Sequence, residues 1–370
     1  MGIWKKPGSL AAAWPVLVLA SWVSAQSYTI TNLGSLGANA NIYPNAINAS
    51  GQIAGVSAAN TNSTRGFFYS NGTMVDLGTL GANNNNCWGE GINDLGEVTG
   101  SVQVISSSSG EHAFIYANGT MQGLGTLAPV GNSYGYGINN MGQVTGWSNT
   151  RAGDLHAFIY TNGSMQDLGT LGGDSSFGYS INESGQVTGT TDLIGNVNQA
   201  FLYSNGAMTG LGALVLSGES IGQGINNAGQ VCGWSNVTGG YRHAFLYANG
   251  SMQDLGTLGG DNSGGYGINS AGQVVGSSQL IGDTSTHAFL YTDGRMQDLN
   301  SFIDPSSGWV LTSAAGINDA GQITGYGGLN GEEAAFLLTP TPEPGMCAVA
   351  IIASISLLGR RRNSKDLQRV

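Results

Sequence analysis

The chain has 370 residues, 41% hydrophobic and 9% charged, and although 62 glycines would suit a disordered polymer, its regular apolar positions exclude one. Of its 11 basic residues, Lys5, Lys6, Arg360, Arg361, Arg362, Lys365 and Arg369 lie at the two ends. The stretch 26–342 is left with four arginines against 20 acids, a charge of about −16 that makes nucleic acid an unsuitable partner.

Residues 1–25 have the layout of a secretory signal peptide. Lys5 and Lys6 form the positive start, Leu10 to Val23 the apolar stretch, and Val23-Ser24-Ala25 the small-residue pattern that predicts cleavage after Ala25. The apolar stretch is short for an uncleaved anchor, so export is expected.

From Tyr28 onward one unit recurs. Its most regular mark is Ile-Asn-x-x-Gly, whose glycines are Gly51, Gly96, Gly142, Gly185, Gly229, Gly272 and Gly321, at intervals of 45, 46, 43, 44, 43 and 49 residues. Such a period marks a repeat array. Each unit holds four short runs of alternating apolar residues. In the sixth these end in Tyr266-Gly267-Ile268-Asn269, then continue as Gln273 to Gly276, His287 to Tyr291 and Met296 to Leu299. Asn-x-x-Gly joins the first two runs and usually Asn-Gly the last two, both hairpin signals.

A four-stranded blade cannot bury both of its faces alone, so neighbouring blades must cover them. Tyr28 to Gly37 matches a fourth run and its tail, whereas the repeat stops after Ala334-Ala335-Phe336, which matches a third run. The expected fold is therefore all-β: a seven-bladed β-propeller of four-stranded antiparallel blades over residues 26–340, with the N-terminal strand completing the last blade. Closure removes the free edge on which chains aggregate.

Several residues invite a catalytic reading and are better read as structural. His112, His156, His243 and His287 each begin a third strand, and Asp76, Asp167, Asp254 and Asp298 recur before a leucine of the fourth. A general base is needed once, so a side chain copied from blade to blade answers a need of the blade, and no catalytic residue is assigned. Phe114, Tyr116, Phe158, Tyr160, Phe201, Tyr203, Phe245, Tyr247, Phe289 and Tyr291 are expected between blades. Cys87 and Cys232 fall in blades too far apart for a disulfide.

The links from first to second and from third to fourth strand are nearly constant, whereas the other two kinds vary. In an up-and-down blade the variable links share one face, and individual loops on a rigid scaffold are where binding resides. Trp88, Arg151, Asp174, Arg242, Asp261 and Asp283 are the candidate ligand-binding residues there. No Asp-x-Asp-x-Asp-Gly loop accompanies the three aspartates, which leaves calcium without support; no metal site and no cofactor are expected.

At the carboxyl end, Pro342-Glu343-Pro344 precedes an apolar run from Met346 to Leu358 and the cluster Arg360-Arg361-Arg362. Residues 341–370 resemble the PEP-CTERM sorting signal. That resemblance implies a short transmembrane helix, transient contact with the membrane, and processing by an exosortase-type enzyme of Gram-negative bacteria.

The body carries His-Ala-Phe at 112, 156, 243 and 287, Asp-Leu-Gly-Thr-Leu at 76, 167 and 254, and Ile-Asn-x-x-Gly at all seven turns. These motifs resemble the HAF family of extracellular repeats. Gly66-Phe67, Gln199-Ala200-Phe201 and Ala334-Ala335-Phe336 depart from the tripeptide. The resemblance implies an exported protein with no catalytic residues to carry over. The expected function is a non-catalytic binding or matrix module at the cell surface or outside the cell, associated with extracellular polysaccharide; the alternative is a secreted polysaccharide hydrolase or lyase that uses the variable face.

Overall fold

The computed structural model describes residues 27–37, 41–60, 63–80, 86–104, 110–282 and 285–341. Ala25, Asp283, Pro342, Glu343, Pro344, Arg360, Arg361 and Arg362 lie outside the described residues, as does the apolar run 346–358. Among the described residues no helix is long and apolar enough to cross a membrane.

Seven antiparallel sheets of four strands follow one another, six of them built from consecutive strands. Blades 1 to 6 occupy residues 42–76, 87–125, 133–167, 176–210, 220–254 and 259–298. In blade 7 the strands Trp309–Ile317, Ile323–Leu329 and Glu332–Pro340 are joined by Tyr28–Asn32. That last strand pairs from Tyr28 opposite Pro340 to Asn32 opposite Phe336. The two ends of the repeat region are thus hydrogen-bonded in one sheet, and the ring is closed. The chain is a seven-bladed β-propeller.

The long interval of 49 residues before the last turn also has a local cause. Two short 3-10 helices, Leu299–Phe302 and Pro305–Ser307, fill the link into blade 7, each begun by an aspartate that accepts a backbone N–H.

The core is divided among the blade interfaces. Phe67, Phe114, Phe158, Phe201, Phe245, Phe289 and Phe336, one from the third strand of each blade, are fully buried. Between blades 3 and 4, Phe201 and Val187 meet Ala157 and Leu168; between blades 5 and 6, Phe289 and Val274 meet Ala244 and Leu255. The Ala of His-Ala-Phe and the Leu of Asp-Leu-Gly therefore pack against the phenylalanine of the next blade. Removing one of these rings leaves a cavity whose cost is about 3–5 kcal/mol.

Polar residues complete the interfaces. Ser133, Ser176, Ser220 and Ser263 lie in the first strands of blades 3 to 6 and accept the backbone N–H of Ala113, Ala157, Ala200 and Ala244 in the preceding blade. In blade 2 the same place is taken by buried Cys87. The preceding blade there has Gly66 for alanine, and a Cβ on it would stand 3.0 Å from the Cys87 sulfur. Cys87 and Cys232 are both unpaired and buried, and burial pushes each thiol up to about 12.

The Ile-Asn-x-x-Gly motif closes the ring at one end of the axis. Each asparagine donates from Nδ2 to the backbone oxygen of the corresponding asparagine in the next blade: Asn48 to Asn93, then Asn139, Asn182, Asn226, Asn269 and Asn318, which donates to Asn48. The second Nδ2 hydrogen goes to the Gln or Glu four residues on, as in Asn139 to Gln143 at 2.8 Å. Oδ1 accepts from the backbone two and four residues on, as from Met141 and Gln143. These donors and acceptors are those an asparagine side chain has, so the residue type is dictated by its place. The glycine that ends the motif has positive φ, +70° at Gly142, where a side chain is disfavoured.

Candidate functional site

These uniform turns and the Asn-Gly hairpins lie on the lower face, and the variable links on the upper. A channel of about 280 Å³ runs along the axis. It widens above into a mouth of about 480 Å³.

What lines the channel is set by a repeated irregularity. In the first strand of every blade the pairing shifts by one residue, and the skipped residues are Asn45, Glu90, Tyr136, Tyr179, Gln223, Tyr266 and Ala315. All seven line both channel and mouth. A β-bulge leaves one residue outside the ladder and re-aims its side chain, which is why bulges occur beside functional sites. Small residues next to the bulge let the inner strands crowd the axis: a Cβ on Gly91 would come within 2.5 Å of the Tyr136 backbone oxygen, and one on Gly267 within 2.9 Å of the Gly316 Cα.

The mouth is aromatic and polar. Tyr136 and Tyr179 meet edge-on at 5.3 Å between ring centres, and Tyr43 meets Tyr326 likewise at 5.2 Å. Burial raises all four phenols, Tyr179 to about 12, so each stays a neutral hydroxyl that can donate or accept. Just outside, Tyr134 stacks on Trp147 at 4.4 Å, and Trp147 meets Phe177 edge-on at 6.1 Å. Asn45 Nδ2 donates to Glu90 Oε2 and to the Gly89 backbone oxygen, both at 2.9 Å. Glu90 is the acid among the residues lining the mouth. Burial pushes its carboxyl up to about 7, so near neutral pH it exists in both forms.

The candidate residues read from the sequence are scattered by comparison. Trp88 stands in the first strand of blade 2, two residues before Glu90, paired opposite Ser101. Arg151 is exposed in a turn of blade 3, and Asp174 is exposed in the link to blade 4. There its charge adds to burial in raising the carboxyl of Asp192. Asp261 lies in the lengthened first strand of blade 6, and Arg242 begins the third strand of blade 5 at a cleft between those blades. The bulged residues are hard to single out from sequence because they vary, whereas the residues around them repeat. In blades 2, 3, 5 and 6 the bulged residue is the x of Gly-x-Gly-Ile-Asn.

The repeated histidines have partners within their own blades. Nδ1 of His156, His243 and His287 lies 2.8, 2.9 and 2.7 Å from Asp167, Asp254 and Asp298 across the third and fourth strands. Arg65 faces Asp76 in the same way at 3.9 Å. The aspartates also accept a backbone N–H two residues on, as Asp167 does from Gly169. His112 has Gly123 on the fourth strand where blades 1, 3, 5 and 6 have the aspartate, and burial lowers its pKa. Among the described residues no group of three or more His, Cys, Asp or Glu side chains is placed to hold a metal ion.

No protein-family model matches the chain, and no curated protein does. Solved structures resemble it in fold. A puromycin-hydrolyzing peptidase of Mycobacterium tuberculosis has a TM-score of 0.54 and 11% identity over 86% of this chain and 54% of its own. TolB from Acinetobacter baumannii has a TM-score of 0.45 and 12% identity over 79% and 64%. A gluconolactonase of Xanthomonas campestris has a TM-score of 0.42 and 10% identity over 85% and 90%. The chain spans about half the length of the peptidase and just under two thirds of TolB. At such identities the likeness is one of fold alone.

Proposed function

We propose that the protein is an exported binding module whose upper mouth holds a segment of extracellular polysaccharide. The observation that carries this reading is the ring of bulged residues, which puts Tyr136, Tyr179 and Tyr266 beside Asn45 and Gln223 in one opening. Aromatic faces cover the apolar C–H faces of a sugar, while phenol and carboxamide groups exchange hydrogen bonds with its hydroxyls. Hydrolysis by two carboxylates needs a pair about 5–10 Å apart; among the described residues lining the mouth Glu90 is the one carboxylic acid, and Glu333 stands behind the lining as the hydrogen-bond partner of Tyr43.

Glu90 has the raised pKa of a general acid, so binding and turnover are scored together. The purified protein is incubated with a glycan panel, and both retention and new reducing ends or unsaturated products are measured. Retention without product is expected. Product formation that disappears in Glu90→Gln would replace this reading with a polysaccharide hydrolase or lyase.

Export and sorting belong to the same proposal and rest on the sequence of residues 1–25 and 341–370. The protein crosses the inner membrane, is held briefly by its C-terminal apolar run, and is processed by an exosortase-type enzyme. Replacing Arg360, Arg361 and Arg362 together by alanine is expected to leave an unprocessed, membrane-retained form. Unchanged mass and location would refute the sorting role.

A further inference from the structure

Beside the mouth, a cleft of about 560 Å³ opens between blades 5 and 6, and Tyr266 lines both. Arg242 stands at its edge with its guanidinium carbon 4.1 Å from the centre of the Trp234 ring. The Arg242 backbone N–H is held by Asn262 Oδ1 at 3.0 Å, and Asn262 Nδ2 donates to Gln279 Oε1 at 2.7 Å. Opposite them the Tyr266 hydroxyl lies 2.9 Å from the Ser277 Oγ. Among the described residues Arg242, like Arg151 and Arg295, makes no ion pair, but of these it is the one that lines a cleft and stacks on an indole.

We propose that this cleft is a subsite for a carboxylated sugar, a uronic acid residue of an acidic polysaccharide. The proposal rests on the glycan-binding reading of the mouth and adds the class of sugar. A guanidinium stacked on an indole keeps its in-plane N–H donors for a ligand, and their fork matches the two oxygens of a carboxylate. Asn262, Gln279 and Ser277 supply the neutral groups that sugar hydroxyls need. Through Tyr266, neighbouring residues of one polysaccharide reach mouth and cleft together. The negative body repels anions elsewhere, so an acidic chain is accepted only where its carboxylate meets Arg242.

The purified protein is titrated with three oligosaccharides of equal length: a neutral glucan, an oligogalacturonate and a sulfated galactan. In Arg242→Gln, affinity for the oligogalacturonate is expected to fall at least tenfold, and by a much larger factor than affinity for the neutral glucan. Arg242→Lys, which keeps the charge and loses the fork, should recover only part of the loss. Oligogalacturonate binding that survives Arg242→Gln would overturn the proposal, as would a sulfated galactan bound as tightly and with the same dependence on Arg242. Failure of the mouth gives a different pattern: no neutral binding by the wild type, with Arg242-dependent oligogalacturonate binding retained.

Discussion

Glu90 joins structure to pH behaviour at the scale of one residue. Its carboxyl holds a proton up to about pH 7 in the folded protein and up to its ordinary 4.5 in the unfolded chain. The folded state therefore binds more protons between those values, and stability must fall as pH rises through that window. The loss is about 2 kcal/mol, less than the full shift implies because the side chain keeps part of its surface open to the channel. Denaturation from pH 4.5 to 8 should show this decline in the wild type and a flatter profile in Glu90→Gln. A wild-type profile as flat as that of the variant would contradict the assigned environment.

Among the elements, the innermost strand and the turn that follows it do most to define the molecule. The turn was legible in the sequence because Ile-Asn-x-x-Gly repeats seven times, but its reason was not, since the bonds from Asn139 run 43 residues along the chain to Asn182. Replacing Asn139 by alanine removes four hydrogen bonds and leaves buried backbone groups without partners, at a cost of about 2–4 kcal/mol. A shift in the denaturation midpoint of less than the equivalent of 1 kcal/mol would show that the ring of asparagines contributes little. The bulge was half legible. Glycines flank Glu90, Tyr136 and Tyr266 in the sequence, but a pattern of alternation cannot reveal which residue drops out of the ladder. The repeated histidines and aspartates are both visible in the sequence, but their pairing is not, because it depends on the register of the third and fourth strands, which sets His156, His243 and His287 beside Asp167, Asp254 and Asp298.

For the whole molecule, closure decides where everything else lies. The strand Glu332–Pro340 runs from the upper face to the lower, and Tyr28 pairs with Pro340, so the ring is entered at Ser27 and left at Thr341 on the lower face. Thr341 donates its backbone N–H to Ser27 at 2.9 Å, which ties the two ends together. The aromatic mouth is on the other face, where the variable links emerge, and binding there is the central claim. Its most direct test is a titration with the glycan retained from the panel, comparing wild type, Tyr136→Ala/Tyr179→Ala at the mouth, and Leu95→Ser/Met141→Ser at exposed turns of the lower face. The mouth variant should lose at least tenfold in affinity and the lower-face variant should bind as the wild type does. Unimpaired binding by the mouth variant, or loss confined to the lower-face variant, would contradict the account.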